Sequence, residues 1–208
     1  MLTSRTVSEF IDDVSSNSPA PGGGSVSALC GALGTALTAM VCRLTIGKKN
    51  YEGVQDEMLM SLGRADDLRV KLTSLIDQDT EAFNLVMKAF TLPKATEDQK
   101  RSRSEAIQAA TKQATLVPLE VMKLCEQAIG IAATVADEGN VNSVTDAGVA
   151  GLILKAGCEG AALNVQINLA TLQDKTFVEE TSTLISAVLT NVDAISNRIR
   201  QRLETVLS

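Results

Sequence analysis

No histidine and no tryptophan occur among the 208 residues, and aromatic side chains are limited to Tyr51 and four phenylalanines. Without imidazole, proton transfer falls to carboxylates, lysines, cysteines, Tyr51 or bound water, and no histidine is available as a metal ligand. Positive charge is the scarcer sign: 19 Lys and Arg against 25 Asp and Glu leave a net charge of −6. Such a surface offers phosphate backbones no general attraction, which argues against nucleic-acid binding. Long charge-free runs are scarce too. The main one, residues 26–42, is diluted by Ser, Thr, Gly and Ala and closed by Arg43, so a buried bundle helix is expected there and no membrane span. Met1 to Thr6 lacks an apolar signal core. Cys30, Cys42, Cys125 and Cys158 are scattered without metal-type spacing and read as buried thiols in a reducing cytoplasm. No linker, repeat or low-complexity tract divides the chain, so a single domain over residues 1–208 is expected.

What the chain does have is helical periodicity almost everywhere, with apolar residues at three- and four-residue spacing and almost no strand-like alternation. The expected fold is all-α: a helical bundle of long, partly kinked helices. Thr6 with Glu9 and Thr96 with Gln99 predict capping boxes. Between them, one helix carries a stripe of large residues (Val26, Leu29, Leu33, Leu37, Met40, Leu44) beside a stripe of small ones (Ser25, Ala28, Ala32, Thr35, Ala39). Two stripes predict contacts on two sides. The next helix is expected from about Tyr51 to Phe90 with a bend near Gly63, and the following one to kink at Pro118 and stop at Gly139. Ala150, Gly157, Gly160, Asn164 and Asn168 share one face of a small-residue helix. The last helix, after Lys175, repeats apolar residues in a near-heptad, which a dimer or one subunit satisfies equally.

Residues 19–25, Pro-Ala-Pro-Gly-Gly-Gly-Ser, run straight into the first small-residue helix. Prolines fix backbone angles, glycines admit a close ligand, and the free N–H groups of a helix start favour an anion. The loop is neither a Walker A motif nor a dinucleotide fingerprint. By itself it is equally a tight helix entry.

Further words in the chain are Thr45-Ile-Gly-Lys-Lys-Asn-Tyr51, Asp79-Thr-Glu-Ala-Phe83, Val117-Pro-Leu-Glu120, Gly139-Asn-Val-Asn-Ser-Val-Thr-Asp-Ala-Gly148 and Asn164-Val-Gln-Ile-Asn168. In this order, and over nearly the whole length, they resemble the formiminotetrahydrofolate cyclodeaminase and methenyltetrahydrofolate cyclohydrolase family. The resemblance implies a helical homodimer with a folate site at or near the interface. It implies C–N chemistry on a one-carbon unit bridging N5 and N10 of tetrahydrofolate, with no metal or redox cofactor beyond that substrate. The free-standing length tilts the expectation toward the cyclohydrolase, because the family's cyclodeaminase is often fused to a formiminotransferase domain. The rival of another class is a non-catalytic helical scaffold whose glycine loop packs against its twin.

Either folate reaction passes through a tetrahedral carbon and needs an acid and a base. Asp146 is one candidate: it follows Asn140 and Asn142 at a helix start, where an aspartate is equally an ordinary cap. Asp79 is the other, with Asp77 and Glu81 as carboxylate neighbours that either raise its proton affinity or simply share a solvated face. Gly22, Gly23, Gly24 and Ser25 are expected to shape the substrate pocket. Lys48 and Lys49 suit the carboxylates of a folate glutamate tail, or merely the carbonyls of a helix end. Asn140, Asn142, Asn164 and Asn168 are candidate partners for the substrate's polar edge, buried helix bridging being the structural alternative for the last two.

Overall fold

The computed structural model describes residues 1–208 as six α-helices without strands: α1 (Val7–Ser15), α2 (Gly23–Thr45), α3 (Gln55–Phe90), α4 (Glu97–Glu138), α5 (Val144–Leu169) and α6 (Lys175–Leu207). Both capping boxes form, at Thr6 with Glu9 and at Thr96 with Gln99. The third helix starts later than Tyr51 because residues Lys49–Val54 make a 3-10 segment in which Tyr51 leaves helical geometry. Then α3 runs unbroken through Gly63 and α4 through Pro118.

The central element is α2, packed between α3 and α5 and backed by α4, while α6 covers α4 and α5. Its small stripe faces inward: Ser25, Ala28, Ala32, Thr35 and Ala39 are buried. A Cβ on Gly34 would meet the Leu154 side chain, and one on Gly157 the Ser27 carbonyl at 2.9 Å, so α2 and α5 approach closely along a glycine and serine seam. The large stripe faces outward, leaving Leu33 and Leu44 exposed. By length and composition α2 is able to cross a membrane, yet most of it is buried inside the bundle. Met58, Leu72, Met122, Ile129 and Leu154 are fully buried around it, each stabilising the fold by about 1.5–3 kcal/mol.

At one end of the bundle α1 has no buried residue. Its Phe10 and Ile11 flank an apolar groove of about 790 Å³ against α2 and α3, walled by Val26, Leu29 and Ile76 with Arg5 and Arg69 among its lining.

Candidate active site

The Pro-Gly-Gly-Gly loop delivers the start of α2 against the last third of α3. Gly22 is the N-cap and has no side chain to satisfy the first N–H groups. Instead Asp79 arrives from α3. Ser25 Oγ lies 3.0 Å from Asp79 Oδ2, 2.9 Å from the Ile76 carbonyl and 3.2 Å from Thr80 Oγ1. Glycine at the neighbouring position makes this placement possible, because a Cβ on Gly24 would fall inside the Asp79 carboxyl group and displace it. Burial raises Asp79 above the usual carboxylate range, and the Ser25 hydroxyl and backbone N–H partly offset that rise. A carboxyl shifted this way exchanges protons nearer neutrality than a surface aspartate does. Asn164 lies across the loop: a Cβ on Gly23 would stand 3.1 Å from its Nδ2. That nitrogen donates to the Gly160 carbonyl at 2.8 Å. Asp77 is turned away, held by the Leu2 N–H and the Thr3 hydroxyl, so it is not the carboxylate neighbour that perturbs Asp79.

Asn168, one turn beyond Asn164, is occupied otherwise. Proline has no N–H, so Pro118 leaves the carbonyl four residues earlier without its helical donor. That carbonyl belongs to Ala114, and Asn168 Nδ2 donates to it at 3.3 Å. The amide thus repairs the gap a buried proline opens in α4.

The other candidates gather at the far end of α2. With 23 residues and a rise of about 1.5 Å each, that helix separates the two groups by roughly 33 Å. Asn140 is buried and mostly committed to structure. Its backbone N–H donates to Thr45 Oγ1 at 2.8 Å, its Nδ2 to the Leu44 carbonyl at 3.1 Å, and its Oδ1 accepts the Asn142 N–H at 3.2 Å. The Tyr51 hydroxyl accepts the Val141 N–H at 2.9 Å, pinning the segment after α2 to the one before α5. Gly47 turns the chain there with φ +76°. Gly139 ends α4 with an ordinary φ of −75°; the constraint is space, since a Cβ would strike the Val135 carbonyl. Lys48, Lys49 and Asn142 remain exposed, and Asp146 is half-buried in the first turn of α5, where Ser143 is the N-cap.

One subunit therefore brings together Gly22, Gly23, Gly24, Ser25, Asp79 and Asn164, and keeps Lys48, Lys49, Asn140, Asn142 and Asp146 apart from them. Sequence reasoning missed Thr80 and the Ile76 carbonyl, although Thr80 continues the helical spacing of Arg69, Thr73 and Ile76, which line the groove. The thiols stay protonated: burial pushes Cys42 up to about 11 and Cys158 up to about 12, and raises Cys30 and Cys125 as well.

An all-α bundle that lodges a half-buried carboxyl against a glycine-opened helix start, in a chain without imidazole, has the makings of a carboxylate acid–base enzyme. The profile of the family described as Formiminotransferase-cyclodeaminase matches residues 6–187, and the chain belongs to that family. It is 42% identical, over 99% of both chains, to a methenyltetrahydrofolate cyclohydrolase of Methylorubrum extorquens. It is 35% identical to the formimidoyltransferase-cyclodeaminase of Mus musculus over 90% of this chain and 35% of that one. The crystal structure of a formiminotetrahydrofolate cyclodeaminase from Thermotoga maritima superposes with a TM-score of 0.90 at 30% identity, covering 100% of both chains.

Proposed function

We propose that this protein is a methenyltetrahydrofolate cyclohydrolase of one-carbon folate metabolism, opening 5,10-methenyltetrahydrofolate to 10-formyltetrahydrofolate. The observation that carries the reading is the end-to-end 42% identity to a protein of that name. The geometry supplies the chemistry. Water adds to the methenyl carbon as the Asp79 carboxylate takes one of its protons. Asp79 returns that proton to N5 as the C–N5 bond breaks, and the remaining hydroxyl proton leaves as the formyl C=O forms. A carboxyl raised by burial suits both halves of this cycle. The first-turn N–H groups of α2 favour negative charge beside it. The reaction calls for no metal or redox cofactor and no membrane or nucleic acid, and the cytoplasm is its natural compartment.

The second reading, a formiminotetrahydrofolate cyclodeaminase, is favoured by the full-length superposition on an enzyme of that name. N10 would then attack the formimino carbon and ammonia would leave, with Asp79 in the same role. Absorbance separates the two: the first requires loss of methenyltetrahydrofolate with water alone, the second its appearance from the formimino compound with ammonia release. A non-catalytic scaffold would show neither, and no saturable folate binding.

The working unit in this reading is a homodimer. Val149, Leu152, Ala156, Leu163 and Ile167 recur at three-, four- and seven-residue spacing on α5, and Leu152, Leu163 and Ile167 are 64%, 66% and 67% exposed. An unpartnered apolar stripe with Ala156 at its middle fits a second α5 crossing there about a two-fold axis. That antiparallel pairing carries the partner subunit's Lys48, Lys49, Asn142 and Asp146 toward Gly23 and Asp79, joining the two groups that one subunit keeps apart. Leu163→Glu is then expected to give a monomer by sedimentation, with activity lost.

A further inference from the structure

Ser25 is fully buried in the first turn of α2. Its hydroxyl carries a single proton yet faces three oxygens, the Ile76 carbonyl at 2.9 Å, Asp79 Oδ2 at 3.0 Å and Thr80 Oγ1 at 3.2 Å. It cannot donate to all of them at once. We infer that Ser25 is a positioning residue whose hydroxyl turns with the charge of Asp79, letting that carboxyl gain and lose a proton while every heavy atom stays in place. The inference rests on the assignment of proton transfer to Asp79.

With Asp79 ionised, the Ser25 O–H donates to Oδ2, and the Ile76 carbonyl keeps only its helical donor. With Asp79 protonated, the carboxyl O–H donates to Ser25 Oγ, and the Ser25 proton swings to the Ile76 carbonyl. Both states satisfy the same buried atoms, so neither leaves an unpaired polar group. A rigid donor such as a backbone N–H serves only the ionised form. Alanine would leave the ionised form only the backbone N–H of residue 25 and would give the protonated form no acceptor.

Within one subunit no competing charge governs the pair. The first charged residue of α2 is Arg43, far along the helix, and the α5 neighbour, Asn164, is neutral. On α3, Asp77 is tied to Leu2 and Thr3, and Glu81 is exposed. No charged side chain of its own subunit contributes to the state of Asp79; burial raises it, and the Ser25 hydroxyl and backbone N–H lower it. The partner subunit's Lys48, Lys49 and Asp146 are the same in the wild type and in Ser25→Ala, so they do not alter that comparison.

The test combines pH profiles of kcat and kcat/KM for the wild type, Ser25→Ala and Asp79→Asn with carbon-13 NMR titration of the aspartate carboxyls in the wild type and Ser25→Ala. In Ser25→Ala the ionised form loses its hydroxyl donor and keeps only the backbone N–H. The Asp79 limb and its carboxyl resonance should then both titrate at higher pH, with kcat down by about tenfold or more and KM within about twofold. Should Ser25→Ala fail to fold, Ser25→Cys keeps a weak donor of similar size and should show the same upward shift to a smaller extent. A merely structural serine would lower Tm and leave limb and resonance unmoved. That result, with Asp79→Asn inactive, overturns the role of Ser25 while the assignment of Asp79 stands. An active Asp79→Asn overturns the assignment itself.

Discussion

The two ends of α2 are built from similar materials and put them to different uses. Each joins a glycine-containing segment to amides, hydroxyls and a neighbouring helix. At the Thr45 end the polar groups are consumed by the fold: Asn140, Thr45 and Tyr51 bond to backbone and hold two connecting segments together. At the Gly23 end the backbone is stripped of side chains, and a carboxyl from α3 occupies the space with one buried hydroxyl for company. The first arrangement spends its hydrogen-bonding capacity on rigidity. The second keeps a titratable group half-buried and responsive. A polar residue near a helix end is therefore functional or structural according to what the adjacent backbone leaves unpaired.

The sharpest way to break this contrast is Asp79→Asn. Turnover is expected to fall by about three orders of magnitude with the helical circular dichroism unchanged, whereas turnover within tenfold of the wild type would move proton transfer elsewhere. The same variant carries a stability signature of opposite sign. Because burial raises Asp79 above its unfolded value, the folded state holds that proton more tightly, so the residue costs stability as pH rises through the raised value. Asp79→Asn should accordingly melt above the wild type near neutral pH and lose that advantage in acid. Next in size is Gly24→Ala, which must displace the Asp79 carboxyl and should lower kcat by about a hundredfold; Gly23→Ala, meeting only the movable Asn164 amide, should cost far less. At the other end the effect should fall on stability. Asn140→Ala removes a buried amide that bonds the Leu44 carbonyl and the Asn142 N–H and is expected to cost about 1–3 kcal/mol by denaturant titration, with kcat per folded molecule little altered. Smallest is Lys48→Ala with Lys49→Ala, expected to raise KM about threefold for a polyglutamylated folate and less for the monoglutamate, in proportion to the carboxylates lost as partners.

The comparison also marks what could be read before folding. Capping boxes at Thr6 and Thr96, the breaks after Phe90 and at Gly139, and the family itself were legible, since each depends on residues close in sequence or on words in fixed order. Legibility failed where a role depends on a distant partner. Asn164 and Asn168 share one helix face and look equivalent, yet one rests over Gly23 while the other serves the Ala114 carbonyl that Pro118 leaves bare. Asp77 and Asp79 are two residues apart, yet one anchors the N-terminal turn and the other meets Ser25. The two stripes of α2 predicted contacts on two sides, yet not that the small one would be the fully buried one, which it is because α5 packs closely enough to require glycine and serine.

By itself the sequence bounded which chemistry was open, because a chain without imidazole moves protons with carboxyl, amine, thiol or phenol groups or bound water, and it determined that helices would form, because their periods and caps are local. Only the tertiary structure decided which carboxyl, Asp79, lies half-buried against a hydroxyl at a helix start. Proton affinity depends on desolvation and on the hydroxyl that faces the group, and both arise where α2 and α3, far apart along the chain, come together.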